Sequence, residues 1–266
     1  MINNNKIAVV IPCFRVSKKI FEVIEGIPTF VDLVILVDDR CPEGSGRLVE
    51  TKFKGDPRLV FYFREENGGV GAATMTGYRE GLDRGADILI KMDGDGQMDP
   101  KYLPSLIAPI EQGRCDYSKG NRFTSQKILQ QMPTIRLIGN SALSFMVKVA
   151  SGYWNVMDPT NGYTAISSRA LQNLNLGKVS ERYFFEIDLL CSLNLNRAVV
   201  RDVSMDAKYD DEPTSLSVLR ALWEFPPKLA KRFIRRVFLQ YFIYDFNMAT
   251  VYLVLGLPVF IGGILW

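Results

Sequence analysis

The chain has 266 residues, 47% of them hydrophobic, and a formal net charge of +3. That is ample for the core of one large domain with an appendage, and it excludes both a disordered chain and a polycation built to bind nucleic acid. There is no histidine, which removes imidazole general-base chemistry, the Ser-His-Asp triad and most catalytic zinc sites, so carboxylates and cations must carry any catalysis.

Lys6 to Pro12 and Leu33 to Val37 are Val- and Ile-rich runs of the kind found in buried parallel strands, and the second ends in Asp38-Asp39. Between them, Ser17 to Gly26 has helical spacing, with Ile20, Val23, Ile24 and Ile27 on one side and Ser17 as its N-cap. A second helix is expected over Gly44 to Phe53, a third strand over Leu59 to Phe63 and a third helix over Gly69 to Arg84. Leu89, Ile90 and Met92 belong to a further buried strand that leaves the sheet at Asp93. Strands alternating with helices predict a doubly wound α/β sheet covered on both faces, with ligands beyond the carboxyl ends of its strands. After residue 115 the pattern is mixed. Helices are expected over Thr134 to Ala150 and Tyr183 to Leu195, and a strand near Ala198 to Val203. Cys13, Cys41, Cys115 and Cys191 form no paired metal-binding pattern and are expected to be reduced and mostly packed.

The most informative segment is Asp93-Gly94-Asp95-Gly96-Gln97. Its glycines permit a tight turn that lets two carboxylates face one cation. Hard ions such as Mg²⁺ or Mn²⁺ take oxygen ligands and reach proteins through one or two carboxylates plus substrate phosphates, so a nucleotide-linked substrate is expected. Asn67-Gly68-Gly69-Val70-Gly71 lacks the full dinucleotide spacing and follows the third strand. It is expected to be a glycine turn beside a nucleotide pocket, with ordinary helix-start packing as the alternative.

Arg220, Lys228, Lys231, Arg232, Arg235 and Arg236 then form a basic stretch with Glu224 as its lone acid, and Met248 to Trp266 carries no charge. Nineteen apolar residues approach the roughly 20 needed to cross a bilayer. The run is expected to be a membrane helix whose basic approach lies on the cytoplasmic side, a buried core helix and an interfacial or re-entrant hairpin being the alternatives. It continues to Trp266, so further spans are expected beyond. The amino terminus runs directly into a strand without the apolar stretch of a secretory signal, so the catalytic part is expected to stay in the cytosol.

In order, Ile11-Pro12-Cys13-Phe14, Val37-Asp38-Asp39, Asn67 to Gly71, Asp93 to Gln97, Gly120-Asn121-Arg122-Phe123 and Asp158-Pro159-Thr160-Asn161-Gly162-Tyr163 resemble the inverting family-two glycosyltransferases. The likeness is greatest to the branch holding dolichyl-phosphate mannosyltransferase and the bacterial polyprenyl-phosphate enzymes, and it covers about residues 6 to 212. It implies a GT-A fold, a mostly parallel Rossmann-like sheet with helices on both faces. Residues 1–212 would be the transferase domain, 213–236 a basic amphipathic juxtamembrane segment and 237–266 a membrane segment.

By the same likeness, Pro12, Phe14, Asp38, Asp39, Gly69 and Asp93 would contact the nucleotide, and Asp93, Asp95 and Gln97 would hold Mg²⁺ or Mn²⁺. Arg122 and Arg136 would lie near an acceptor phosphate and act with Asp95 in catalysis. The chain departs from the family where relatives read Pro-Thr-Tyr-Asn-Glu, having Pro12-Cys13-Phe14-Arg15-Val16. It also departs where relatives carry an Arg before Gly-x-Ser, having Tyr209 to Ser215. The donor would be a GDP- or UDP-sugar and the acceptor a membrane polyprenyl phosphate. A hydroxyl of a lipid-linked glycan is the alternative acceptor, with Glu186 or Asp188 as its base. Outside this class stand a sugar-nucleotide or phosphate-transfer enzyme and a non-catalytic nucleotide-sugar binder.

Overall fold

The computed structural model describes residues 5–123, 134–206 and 218–266. Seven strands form one sheet: β1 (Ile7–Cys13), β2 (Leu33–Asp38), β3 (Leu59–Phe63), β4 (Ile88–Lys91), β5 (Tyr117–Asn121), β6 (Thr164–Ser167) and β7 (Val200–Ser204). Their order is β3-β2-β1-β4-β6-β5-β7. β6 runs antiparallel to β4 and β5, and the other pairings are parallel. The helices are α1 (Ile20–Glu25), α2 (Ser45–Lys52), α3 (Val70–Asp83), α4 (Leu103–Glu111), α5 (Thr134–Ser151), α6 (Ser168–Gln172), α7 (Phe185–Leu195), α8 (Val218–Phe238) and α9 (Met248–Leu265).

Every residue of β1 and β2 is buried. Successive side chains of a strand point to opposite faces, so a wholly apolar strand requires a covered sheet on both sides. Val10, Ile35, Val37 and Leu89 pack against Ala73, Met75 and Tyr78 of α3 and against Phe185 and Leu189 of α7. Val9, Ile11, Leu36 and Ile90 face Ile20 and Ile24 of α1 and Leu103, Leu106 and Ile107 of α4 on the other side.

The predicted boundaries of the first three helices hold within three residues, but the Ser17 cap does not form. Helix α1 begins at Ile20, and the Ser17 hydroxyl donates to Glu43 Oε2 at 2.6 Å. A carboxylate is the stronger acceptor, and it ties the β1–α1 loop to the β2–α2 loop. All four cysteines are free thiols; three are buried and Cys41 is partly exposed.

Close packing explains one glycine directly. A Cβ on Gly71 would stand 2.6 Å from Phe185 Cβ and 2.6 Å from the Ser180 carbonyl oxygen. The first turn of α3 lies against the chain entering α7, and Ala72 N donates to Glu181 O at 2.8 Å. Gly71→Ala is therefore expected to destabilise the fold by about 1–3 kcal/mol, the cost of overpacking a rigid contact, as measured by urea denaturation.

Helix α8 has two faces. Phe225 and Leu229 are buried, with Phe225 against Phe184 edge-on at 5.2 Å. Arg236 Nη2 and Nε donate to the Val149 and Ala150 carbonyl oxygens at the end of α5. The other face exposes Trp223, Ile234 and Phe238 among Lys231 and Arg235. A π-helical segment, Leu239–Tyr244, leads to α9. The Asn247 side chain and Thr250 cap the start of α9 reciprocally, which gives this apolar helix a defined beginning. Its mean hydropathy is 2.1 and only 6% of it is buried. It is long and apolar enough to cross a membrane, and it is not a core helix.

Candidate active site

The direction of the sheet's growth reverses beside β1, between β2 and β4, which is where ligands bind in open α/β sheets. Cys13 pairs with Asp38 and Val10 with Lys91, so the loops after β1, β2 and β4 leave one edge together. The loops after β5 and β7 leave the same edge, and the Asp158 to Tyr163 turn enters β6 there because β6 is reversed.

Strand β4 ends at Lys91, and Met92 N still donates to Val10 O at 3.0 Å before the chain turns. Gly96 has φ +80°, and a Cβ on Gly94 would stand 2.8 Å from Ile20 Cδ1. Gly96 is thus favoured by conformation, and Gly94 lets the turn lie close against α1. Asp95 Oδ1 accepts from Gln97 N at 2.9 Å, and Asp93 N donates to Met98 Sδ at 3.1 Å. Asp93 and Asp95 are partly exposed and Gln97 is exposed. Among the described residues no group of three or more His, Cys, Asp and Glu is placed to hold a metal ion. The donors here are therefore two hard carboxylates. They fit Mg²⁺ or Mn²⁺ completing its shell from a diphosphate and water, and they do not make a closed protein cage.

Asp38 and Asp39 are buried and act on the backbone. Asp38 accepts from Cys41 N at 2.7 Å and Gly46 N at 2.9 Å, closing the turn into α2. Asp39 accepts from Gly68 N at 3.0 Å and Gly69 N at 2.7 Å and pairs with Arg64 at 2.8 Å. The glycine-turn donors that the sequence offers to a phosphate are thus directed at the Asp39 carboxylate. Gly69 itself has φ +94° and packs against Arg182. Pro12 is buried at the end of β1, whereas Phe14 is exposed at the edge with the Arg15 guanidinium 5.4 Å from its ring.

The structure joins two motifs that lie 36 residues apart. Arg122 Nε and Nη2 donate to Asp158 Oδ2 and Oδ1 at 2.7 and 3.0 Å, a bidentate pair with the carboxylate fully buried. This clamp holds the guanidinium at the edge with a third of its side chain exposed. The Lys119 ammonium, wholly buried, donates to the Asn161 carbonyl oxygen and steadies the same turn. Burial pulls Lys119 below the ordinary lysine range, and Glu186 and Asp158 oppose that fall. Arg136 falls in the first turn of α5, and its side chain lies outside the described set, as do Lys208 and the side chain of Arg220, the two candidates to replace the arginine that relatives carry before Gly-x-Ser.

Glu186 and Asp188 sit in the first turn of α7 and have different partners. Glu186 Oε1 is 3.4 Å from Lys91 Nζ, which also lies 2.8 Å from Asp93 Oδ1. Burial pushes the Glu186 carboxyl above the ordinary range, with Lys91 and Lys119 pulling it back. Burial works against the Lys91 charge too, but Asp93 and Glu186 outweigh it and hold the ammonium above the usual lysine range. The Gly162 backbone lies against the ends of these two side chains, so that a Cβ there would displace them. Asp188, wholly buried, accepts from Ser180 N at 2.8 Å and Ser180 Oγ at 2.7 Å and pairs with Arg232 of α8 at 2.6 Å. Lys91 and Lys119 were missed in the sequence. Their signal was a lysine beside strand residues that are otherwise apolar or small.

Asp202, on β7, accepts from Asn121 Nδ2 and Met157 N at 2.9 Å each, while its Oδ1 is buried without a hydrogen bond among the described residues. Burial raises its carboxyl above the ordinary value of 3.8. An acid raised on folding is protonated in both states at low pH and penalises the fold once both states are ionised. Stability is therefore expected to fall as pH rises from about 3.8 through the raised native value. Asp202→Asn should flatten that limb of a melting-temperature profile.

An open depression of about 690 Å³, lined by Arg79, Leu82 and Leu171 to Gly177, lies at the opposite edge of the sheet and contains none of these motif residues.

A seven-stranded, mostly parallel α/β sheet with an Asp-x-Asp turn beside its switch point is the GT-A fold. The chain belongs to glycosyl transferase family 2, whose model matches residues 8–174. It is 27% identical over 218 residues to UDP-N-acetylglucosamine–dolichyl-phosphate N-acetylglucosaminyltransferase of Methanococcus voltae, covering 77% of this chain and 86% of that one. It is 32% identical over 157 residues to undecaprenyl-phosphate mannosyltransferase of Micrococcus luteus, covering 59% of this chain and 63% of that one. Among solved structures, glucosyl-3-phosphoglycerate synthase of Mycobacterium tuberculosis with Mn²⁺ and UDP-glucose superposes with a TM-score of 0.63 at 20% identity. That match covers 86% of this chain and 79% of the other.

Proposed function

We propose that the protein transfers a sugar from a nucleotide sugar to a membrane polyprenyl phosphate, with a divalent metal and with inversion at the anomeric carbon. In this reading residues 1–212 are the transferase, 213–236 dock it on the cytoplasmic face of the membrane and 237–266 anchor it.

The observation that carries the choice of acceptor is the commitment of both candidate bases. The Glu186 carboxylate is paired with buried Lys91, and the Asp188 carboxylate with Arg232 and Ser180. A sugar hydroxyl needs a carboxylate to take its proton, whereas a phosphate oxygen is already anionic. Asp93 and Asp95 bind the metal, and Gln97 supports the turn. When bound, that ion neutralises the departing diphosphate. Arg122, fixed by Asp158, orients the acceptor phosphate, with Arg136 as a second cation. Pro12, Phe14, Asp38 and Asp39 form or shape the nucleotide side of the cleft.

The exposed Trp223, Ile234 and Phe238 of α8, mixed with Lys231 and Arg235, suit an interfacial helix on anionic headgroups, where a lipid phosphate is presented. The two relatives named above, whose names carry dolichyl and undecaprenyl phosphate, support the same acceptor class.

The test incubates the purified protein in detergent with Mn²⁺, a panel of radiolabelled GDP- and UDP-sugars and a short polyprenyl phosphate, followed by organic extraction. Label in the organic phase that mild acid releases as free sugar, as expected of a polyprenyl glycosyl phosphodiester, is the expected result and identifies the donor. Label in a lipid-linked glycan instead would move the acceptor to a hydroxyl. Metal-dependent donor binding without transfer to either acceptor would favour a non-catalytic binder.

A further inference from the structure

Lys91 stands in the place of a second cation at the metal carboxylates. Its side chain is only 3% exposed, at the last position of a strand whose other residues are Ile88, Leu89 and Ile90. Its ammonium lies 2.8 Å from Asp93 Oδ1 and 3.0 Å from Asp93 Oδ2, so it spans both oxygens of the residue that the reading above assigns to the metal. On its other side, at 3.4 Å, is Glu186 Oε1, 95 residues away on α7. The Gly162 backbone lies against this space, and a Cβ there would displace the Lys91 ammonium and the Glu186 carboxylate. The ammonium is thus confined between two carboxylates, one at the site's surface and one behind it. The Phe185 ring, 5.7 Å away, forms part of the wall.

Asp93 cannot give its oxygens fully to Lys91 and to a divalent ion at once, because two cations a few ångströms apart in a partly buried site repel strongly. Glu186 offers Lys91 somewhere to go. We propose that Lys91 and Glu186 are a positioning pair that hands Asp93 over to the metal. Without metal, Lys91 holds the Asp93 carboxylate in place and balances its charge. When Asp93 is given to a divalent ion, Lys91 withdraws onto Glu186, which carries the compensating negative charge. The pair therefore weakens binding of the bare metal, and it ties occupancy of the site to the arrival of the metal with an anionic diphosphate, which adds its own oxygens. This rests on the assignment of Asp93 and Asp95 to the metal and extends it to residues behind the motif.

The handover makes predictions of opposite sign for two neighbours. Removing the competing cation with Lys91→Met should tighten binding of Mn²⁺ alone roughly tenfold, and removing its retreat with Glu186→Gln should weaken it by a similar factor. In the double variant Glu186→Gln should have little further effect, because it acts through Lys91. A purely structural role would lower the affinity in both single variants. The measurement is titration of the full chain in detergent with Mn²⁺, without nucleotide, following unbound Mn²⁺ by electron paramagnetic resonance. Thermal melts establish that each variant is folded.

Equal or weaker Mn²⁺ binding by folded Lys91→Met overturns the proposal. If Lys91→Met does not fold, Glu186→Gln decides, and unchanged affinity there overturns it. Binding in the wild type that is lost in Asp95→Ala but unaltered by Lys91→Met leaves the metal assignment standing and removes only the handover. No binding in the wild type or in Lys91→Met, with or without nucleoside diphosphate, removes both.

Discussion

Replacing Asp95 by alanine is expected to slow sugar transfer roughly 10³-fold or more, about 4 kcal/mol of barrier, with little loss of stability. Asp95 is the cleaner of the two carboxylates to remove. It is partly exposed, and its bond to Gln97 N, of the kind that contributes about 1 kcal/mol, lies within its own turn. Asp93→Ala would also leave the buried Lys91 ammonium with Glu186 alone, mixing a packing defect with the chemical one. Single-turnover transfer to a short polyprenyl phosphate, compared with a melting curve, separates the two effects. Activity within tenfold of wild type would remove Asp95 from the metal.

The second large effect is on stability. Arg232→Met should cost about 3–5 kcal/mol, because among the described residues it leaves the wholly buried Asp188 carboxylate with its Ser180 hydrogen bonds and no cation. Adding Asp188→Asn to Arg232→Met should recover much of that loss, since the orphaned charge is then gone. Urea denaturation of the two variants in the same detergent tests this. Equal stability of Arg232→Met and wild type would mean that the pair contributes nothing net. The consequence reaches the membrane side of the molecule. Arg232 is on α8, the approach to the apolar helix α9, so the ion pair fastens that approach to the helix that carries Glu186.

Much of the transferase half was legible along the chain. Alternating apolar runs and helical spacing placed β1 to β4 and α1 to α3 within a few residues, because a sheet buried on both faces needs unbroken apolar strands and its helices need one apolar side. The Asp93 to Gln97 turn was legible for a similar reason, since its glycines and carboxylates act within five residues. β5 and β6 were not anticipated. β5 reads Tyr-Ser-Lys-Gly-Asn and is nonetheless buried throughout, a pattern that propensity does not identify and that tertiary partners impose. The Ser17 cap failed likewise, because the acceptor that took its hydroxyl, Glu43, lies 26 residues away.

The sequence by itself determined the α/β class, the sheet edge at which the motif residues gather, the carboxylate turn and the apolar terminal helix. Each follows from periodicity or from groups a few residues apart, which every copy of the chain carries whatever its fold. Only the tertiary structure decided what those groups are joined to. It turned Asp38 and Asp39 inward onto backbone donors, clamped Arg122 to Asp158, set Lys91 between Asp93 and Glu186 and bound α8 to Asp188. A charged group in a buried site takes whichever opposite charge the fold brings within about 3 Å, and that choice depends on strand order and helix packing that no local pattern records.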